Sequence, residues 1–189
     1  MPKKVTILIM GDGSVGKSCM IMRYLNDKYV DNYDPTIQDT FKKTVTVDGE
    51  PVVVEFIDTS GQEEYYSNSI DTEIKKGDGF LFVYSILMPD SIEKLELIVQ
   101  NVFLKREMTA ANPTAGIVIC GNKCDNEADR KVSKKTGMQF AEKYNAEFFE
   151  SKIYIFAVFV FNFIFPGFFY ASYSFYSFCQ NVCERQSSF

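Results

Sequence analysis

The sequence predicts an α/β fold: a six-stranded, mostly parallel sheet with helices on both faces. Three observations predict it. Short apolar runs of strand length alternate with stretches whose apolar residues recur at helical spacing. Two of the runs, 40–47 and 52–57, flank Asp48-Gly49, a pair that tolerates positive φ and closes a hairpin, so these two strands pair antiparallel. A glycine-rich stretch joins the first apolar run to the first helical pattern, as a strand-to-helix turn in a parallel sheet does.

The elements follow in order. Residues 5–10 are a continuous apolar run and read as a buried strand. A helix begins after the glycine-rich loop and covers 19–25. The hairpin strands come next, then a short apolar strand at 80–86. Pro89-Asp90-Ser91 opens a helix in which Ile92, Leu95, Val99 and Val102 share one face while Glu93, Lys94 and Glu96 face elsewhere. Residues 116–120 form the fifth strand. Residues 133–144 form a helix with Met138, Ala141 and Tyr144 on one side, and 147–150 form a short sixth strand. Ligands of such sheets bind beyond the carboxyl ends of the strands.

The chain has 189 residues, enough for one domain with a substantial core. A net charge of −5 gives no broad basic surface, so nucleic acid is not an expected partner. Five cysteines show neither metal spacing nor a secreted disulfide framework, which fits a reducing, cytoplasmic compartment. The start, Met-Pro-Lys-Lys, lacks a signal-peptide apolar region and a myristoylation glycine. The charge pattern breaks after Lys152: residues 153–183 carry no charge, and ten of the 18 phenylalanines lie at or after Phe156. The expected organisation is therefore a domain over 1–152 and an atypical apolar, Phe-rich tail over 153–189.

The chemistry begins at residues 11–18, Gly-Asp-Gly-Ser-Val-Gly-Lys-Ser, which match G-x-x-x-x-G-K-[ST] between a strand and a helix. Backbone N–H groups of Gly11, Gly13, Ser14, Val15, Gly16, Lys17, Ser18 and Cys19 are the candidate phosphate cradle, helped by the helix dipole. Lys17 reaches the β- and γ-phosphates and the Ser18 hydroxyl ligates Mg²⁺. The fold expected with this loop is that of a P-loop NTPase. Asp58-Thr59-Ser60-Gly61-Gln62 follows the third strand; Asp58 can hold Mg²⁺, and Gly61 can bring a backbone N–H to a terminal phosphate. Asn122-Lys123-Cys124-Asp125 follows the fifth strand. The Asp125 carboxylate can accept both donors on the N1–N2 edge of guanine, a pair that adenine lacks.

With these motifs in this order, the chain resembles the small GTPases of the Ras family over residues 4–150. Tyr33-Asp-Pro-Thr-Ile-Gln-Asp-Thr-Phe41 is similar to the Ras effector segment, and with Gly61-Gln-Glu-Glu-Tyr65 it favours Ras over the transport and cytoskeletal branches. The resemblance implies that Thr36 joins Ser18 and Asp58 at Mg²⁺ and that its N–H meets the γ-phosphate. Tyr29 packs across the guanine and Lys123 along its other face; Tyr33 and Pro35 lie in the segment that closes over the phosphates. Gln62 orients the attacking water, so the implied catalytic set is Gln62, Lys17, Thr36 and Gly61. Gly13 leaves room for Gln62 and an incoming arginine. Hydrolysis then releases Thr36 and Gly61, and both switches relax. A GTPase-activating protein, an exchange factor and effectors are the implied partners. Three positions depart from the family: Tyr29 replaces Phe, Ser60 replaces Ala, and Gln38 replaces Glu. The last weakens attraction to a basic effector surface, so effector binding carries over and effector identity does not.

The resemblance stops at the tail. The family continues with a Ser-Ala-Lys loop and an amphipathic helix, whereas this chain reads Glu150-Ser151-Lys152-Ile153-Tyr154, leaving Ser151 and Lys152 as a remnant of the guanine loop. Residues 153–171 have no polar face. Three readings stand: a membrane anchor interrupted by Pro166-Gly167, a buried segment, or a run from T- and A-rich codons, as in an unspliced intron or a frameshift; the abrupt break at a motif favours the last. The final residues, Gln186-Ser187-Ser188-Phe189, contain no CaaX cysteine, so the family's own route to the cytoplasmic face of the plasma membrane is not expected. The sequence thus predicts a GTP-hydrolysing signalling switch. The second reading is a guanine-nucleotide-binding module whose cycle is impaired because the last loop and helix are replaced.

Overall fold

The computed structural model describes residues 3–26, 38–47, 49–59 and 68–151. One six-stranded sheet runs through them: β1 (Lys3–Met10), β2 (Gln38–Val47), β3 (Glu50–Thr59), β4 (Gly79–Ser85), β5 (Gly116–Asn122) and β6 (Glu147–Ser151). The spatial order is β2-β3-β1-β4-β5-β6, and only the β2–β3 pair is antiparallel. Four α-helices surround it: α1 (Lys17–Asn26), α2 (Asn68–Lys76), α3 (Pro89–Lys105) and α4 (Lys134–Lys143). The predicted fold class is the observed one.

Two apolar layers hold the helices to the sheet. Alternate residues of each strand point to opposite faces, so β1 divides its side chains between both layers. Val5, Ile7 and Ile9 join Val54, Phe56, Leu81 and Val83 beneath Met20 and Ile21 of α1. Leu8 and Met10 join Phe80, Phe82 and Tyr84 on the other face, under Ile70 and Ile74 of α2, Leu95 and Val99 of α3, and Ala141 of α4. The central strands are buried from Val5 to Met10 and along the whole of β4, and are mostly apolar there, because both faces are covered.

The expected elements all form, with shifted ends. The hairpin register places Val47 opposite Glu50, so the turn is two residues long, and Gly49 takes φ +82°. Strand β5 runs two residues beyond the predicted end and carries Asn122 into the ladder opposite Ser151. Helix α4 differs in its inner face. Met138 is 45% exposed, and the buried positions are Gly137 and Ala141, with Tyr144 following the helix. The physical reason is the pair Tyr84 and Phe148: their side chains fill the space against α4 where only a glycine fits, so Gly137 turns inward and Met138 rotates outward.

Helix α2 was absent from the sequence reading. Among its described side chains the buried ones are Ile70 and Ile74, a single i, i+4 pair. The end of α3 also ties it down. Arg106 donates to the carbonyl oxygens of Ile74, Lys75 and Gly77 at 3.2, 2.6 and 3.1 Å, neutralising the exposed carbonyls at the α2 C-terminus. Lys105 forms an ion pair with Asp71. Among the described residues no helix is long and apolar enough to cross a membrane; the tail, on which the anchor reading rests, lies outside them.

Candidate functional site

Strands β3 and β1 are neighbours and β5 lies one strand further on, beyond β4; all three run parallel, and their carboxyl ends carry the three motifs. The loop after β1 turns sharply at Gly11, φ +154°, where an added Cβ would lie 2.1 Å from the Val83 carbonyl oxygen. Ser14 and Gly16 also take positive φ, at 61° and 100°. Gly16 has a second constraint: a Cβ there would lie 2.5 Å from Asn122 Nδ2. At Gly13 a Cβ would meet no described atom within 4 Å. These left-handed turns give the N–H vectors of a concave loop. Helix α1 starts at once, with Met20 N–H donating to the Gly16 carbonyl at 3.1 Å.

Lys17 lies inside the curve. Its Nζ donates to the Gly11 and Asp12 carbonyl oxygens at 2.9 and 3.0 Å, and the side chain is buried. Burial lowers its pKa to about 8, against the opposing pull of the Asp58 and Asp12 carboxylates. Its bonds go to neutral carbonyl oxygens, so an arriving anion would meet a partly desolvated cation that gains more from it than a solvated lysine does.

Ser18 Oγ donates to Asp58 Oδ2, and both residues are buried. Asp58 is placed by β3, where it pairs with Ile9 in the ladder, and Thr59 Oγ1 anchors the strand end on the Ile9 carbonyl at 2.9 Å. A hydroxyl and a carboxylate in contact are hard oxygen donors, which suits Mg²⁺. Among the described residues no cluster of three His, Cys, Asp or Glu forms a full cage. The Ser18–Asp58 pair could serve Mg²⁺, which takes one or two protein oxygens and leaves the rest to water and phosphate.

The third motif is fastened to the first. Asn122 Nδ2 donates to the Val15 carbonyl at 2.8 Å, and Lys123 Nζ donates to the Ser14 carbonyl at 2.8 Å. Lys123 takes φ 68°, which turns the chain back over the loop. Asp125 is exposed at the rim. Beneath it, Cys124 N–H donates to the Ser151 carbonyl at 3.2 Å, so the buried Ser151 lies beside this motif. The Cys19 thiol is raised in pKa by burial and by Asp58, despite Lys123, and stays protonated at neutral pH.

A sequence model described as the Ras family matches residues 6–153. The chain belongs to the Ras family. It is 36% identical over 149 residues to Ras-like protein 2 of Mucor circinelloides f. lusitanicus, covering 79% of this chain and 73% of that protein. It is 39% identical over 145 residues to Ras-like protein rasS of Dictyostelium discoideum, covering 77% and 72%. As a Ras-family member it is a small GTPase: it binds GTP and GDP, hydrolyses GTP, and works with regulators and effectors.

Of the residues expected at a Ras-family site, the structure brings together Gly11 to Cys19, Asp58, Asn122, Lys123, Asp125 and Ser151. Tyr29, Tyr33, Pro35, Thr36, Gly61, Gln62 and Lys152 lie outside the described residues. Two contacts escaped the sequence reading. Lys94 of α3, expected to face away from its helix core, does so and pairs with Asp12 of the loop at 2.8 Å. Arg130 joins Glu127 and Glu150, clamping the segment after Asp125 to β6. An acid within an anion-binding loop signals that a countercharge is needed, but only the packing of α3 says which lysine supplies it.

Proposed function

We propose that this Ras-family chain holds one guanine nucleotide across the ends of β1, β3 and β5, cleaves its γ-phosphate with water, and signals through the segments containing Thr36 and Gly61. The observation that carries the reading is the pair of hydrogen bonds from Asn122 and Lys123 to the phosphate loop. They fix the distance between a phosphate cradle and a guanine acceptor, so a single ligand spans both.

In this reading Lys17 leaves its two carbonyl oxygens for the β- and γ-phosphates. Ser18, Asp58 and Thr36 would hold Mg²⁺, which would neutralise phosphate charge. Asp125 accepts from guanine, Lys123 and Tyr29 lie along its faces, and Ser151 with Lys152 closes the pocket. Tyr33 and Pro35 cover the phosphates. Gln62 aligns water; the water oxygen bonds to the γ-phosphorus as the bond to the β–γ bridging oxygen breaks, giving GDP and phosphate. Thr36 and Gly61 lose their contacts with the departing group. Ras itself, the reference case for this chemistry, turns over on the order of 10⁻⁴ per second alone and about 10⁵-fold faster with an activating protein. The same slow, partner-dependent cycle is proposed here.

The test is the nucleotide released on denaturing the purified full-length chain. About one GDP or GTP per chain is expected, and Lys17→Ala should lower nucleotide affinity by at least about a hundredfold through loss of a buried phosphate contact. Unchanged GDP affinity in Lys17→Ala would sink the scheme. Gln62→Leu should keep binding and lose stimulated turnover; a GAP-stimulated rate equal to wild type would remove Gln62 from its role. A second reading, a nucleotide-binding module with an impaired cycle, is favoured by the loss of all charge between 153 and 183. It predicts a substoichiometric or empty chain.

A further inference from the structure

Asp12 places a carboxylate inside a loop built to bind phosphate. Its own backbone carbonyl receives Lys17 Nζ at 3.0 Å, so Asp12 borders the resting position of the lysine that, in the reading above, moves to the terminal phosphate. The carboxylate is only 14% exposed, which limits screening by water. A negative charge held there opposes a polyphosphate, and it opposes GTP more than GDP because GTP carries the additional γ-phosphate charge. Asp12 is not left alone: Lys94 Nζ, from the second turn of α3, donates to Asp12 Oδ2 at 2.8 Å. Asp12 in turn is the main influence on Lys94, holding its ammonium above the usual lysine range through their hydrogen bond. Helix α3 cannot easily drift from this position, since Ser91 Oγ accepts from the Ser85 N–H at 3.0 Å and Leu95, Ile98 and Val99 are buried.

We propose that Lys94 is a positioning residue that neutralises Asp12 and turns its carboxylate away from the phosphates, so that the α3–loop ion pair sets the preference of the site for GTP over GDP. The inference rests on the nucleotide reading above. It adds a residue outside all three motifs and makes one end of α3 a determinant of nucleotide state. Without Lys94 the carboxylate is free to compete with the γ-phosphate for Lys17. The effect scales with the charge on the ligand, whereas general damage to the loop would weaken both nucleotides alike.

The experiment measures Kd for GTP and for GDP, by displacement of a fluorescent GDP, on the full-length chain and on Lys94→Gln, Lys94→Glu and Asp12→Asn/Lys94→Gln. Relative to wild type, Lys94→Gln should lower the GTP-over-GDP preference about three- to fivefold, the size expected of a partly exposed charge pair. Lys94→Glu should lower it further, and the double variant should regain the wild-type preference or exceed it. Equal weakening of both nucleotides in Lys94→Gln and Lys94→Glu would overturn the inference, as would a lowered preference that persists in the double variant. Wild-type chain that binds neither nucleotide would instead take down the proposed function, and this inference with it.

Discussion

Tyr84 is fully buried, and its hydroxyl lies where a Cβ at Gly121 or Gly137 would come within 2.6 or 2.2 Å. Among the described residues that hydroxyl has no hydrogen-bond partner. Burial and the nearby Glu150 carboxylate raise its pKa, so it stays a neutral phenol. A buried hydroxyl without a partner costs more than an apolar atom in its place. Tyr84→Phe is therefore expected to stabilise the protein by about 1 kcal/mol, seen as a Tm roughly 3 °C higher in a thermal melt. A lower Tm would mean that the hydroxyl is satisfied. This residue also marks a limit of sequence reading. Nothing in the pattern around Gly137 or Met138 shows which turns inward, because the choice is made by Tyr84 and Phe148, which only the folded sheet brings against α4.

Among the elements, β6 and the segment that follows Asp125 depend on one guanidinium. Arg130 makes a forked contact with Glu150 at 2.6 and 2.9 Å and with Glu127 at 2.7 to 2.9 Å, and donates to the Val132 carbonyl at 3.0 Å. Its hydrogen bonds to Glu127 and then Glu150 hold it well above the usual arginine range. With Arg130 and Glu150 at 16% and 11% exposure, the pair lies between the surface and interior cases. Arg130→Ala should cost about 2 kcal/mol, read from the urea midpoint, and should speed GDP release because Ser151 and Asp125 lose a shared brace. A GDP release rate equal to wild type would confine Arg130 to stability. The strands were legible because a strand buried on both faces must be apolar, and the motifs because phosphate and guanine chemistry restrict residue type and spacing. Helix α2 was not: two isoleucines are too few to set a period, and its end is capped by Arg106, thirty residues on. The clamp at Arg130 was hidden for the same reason, since its partners are chosen by how β6 returns to the sheet.

At the scale of the whole molecule, the site is made from pieces of the sheet that meet only when the sheet is complete. Nucleotide binding and folding are therefore linked: a ligand at a thousand times its Kd adds about 4 kcal/mol to stability. Stripping nucleotide and metal with excess chelator and alkaline phosphatase should lower Tm by at least about 5 °C, and adding back GDP with Mg²⁺ should restore it. A Tm indifferent to nucleotide would separate fold from site and favour the impaired module. The tie from Asn122 to Val15 also has a meaning during synthesis. The two residues are 107 positions apart. A ribosome adding roughly 5–20 residues per second makes the loop some 5–20 s before the strand that braces it. Until then the nascent chain presents Gly16 and its neighbours with no Asn122 to hold their turn, and a nucleotide finds no seat. On the proposed reading, occupancy is acquired late, on a chain whose last strands have left the tunnel, and a product that ends before Asn122 is expected not to capture GTP however intact its phosphate loop.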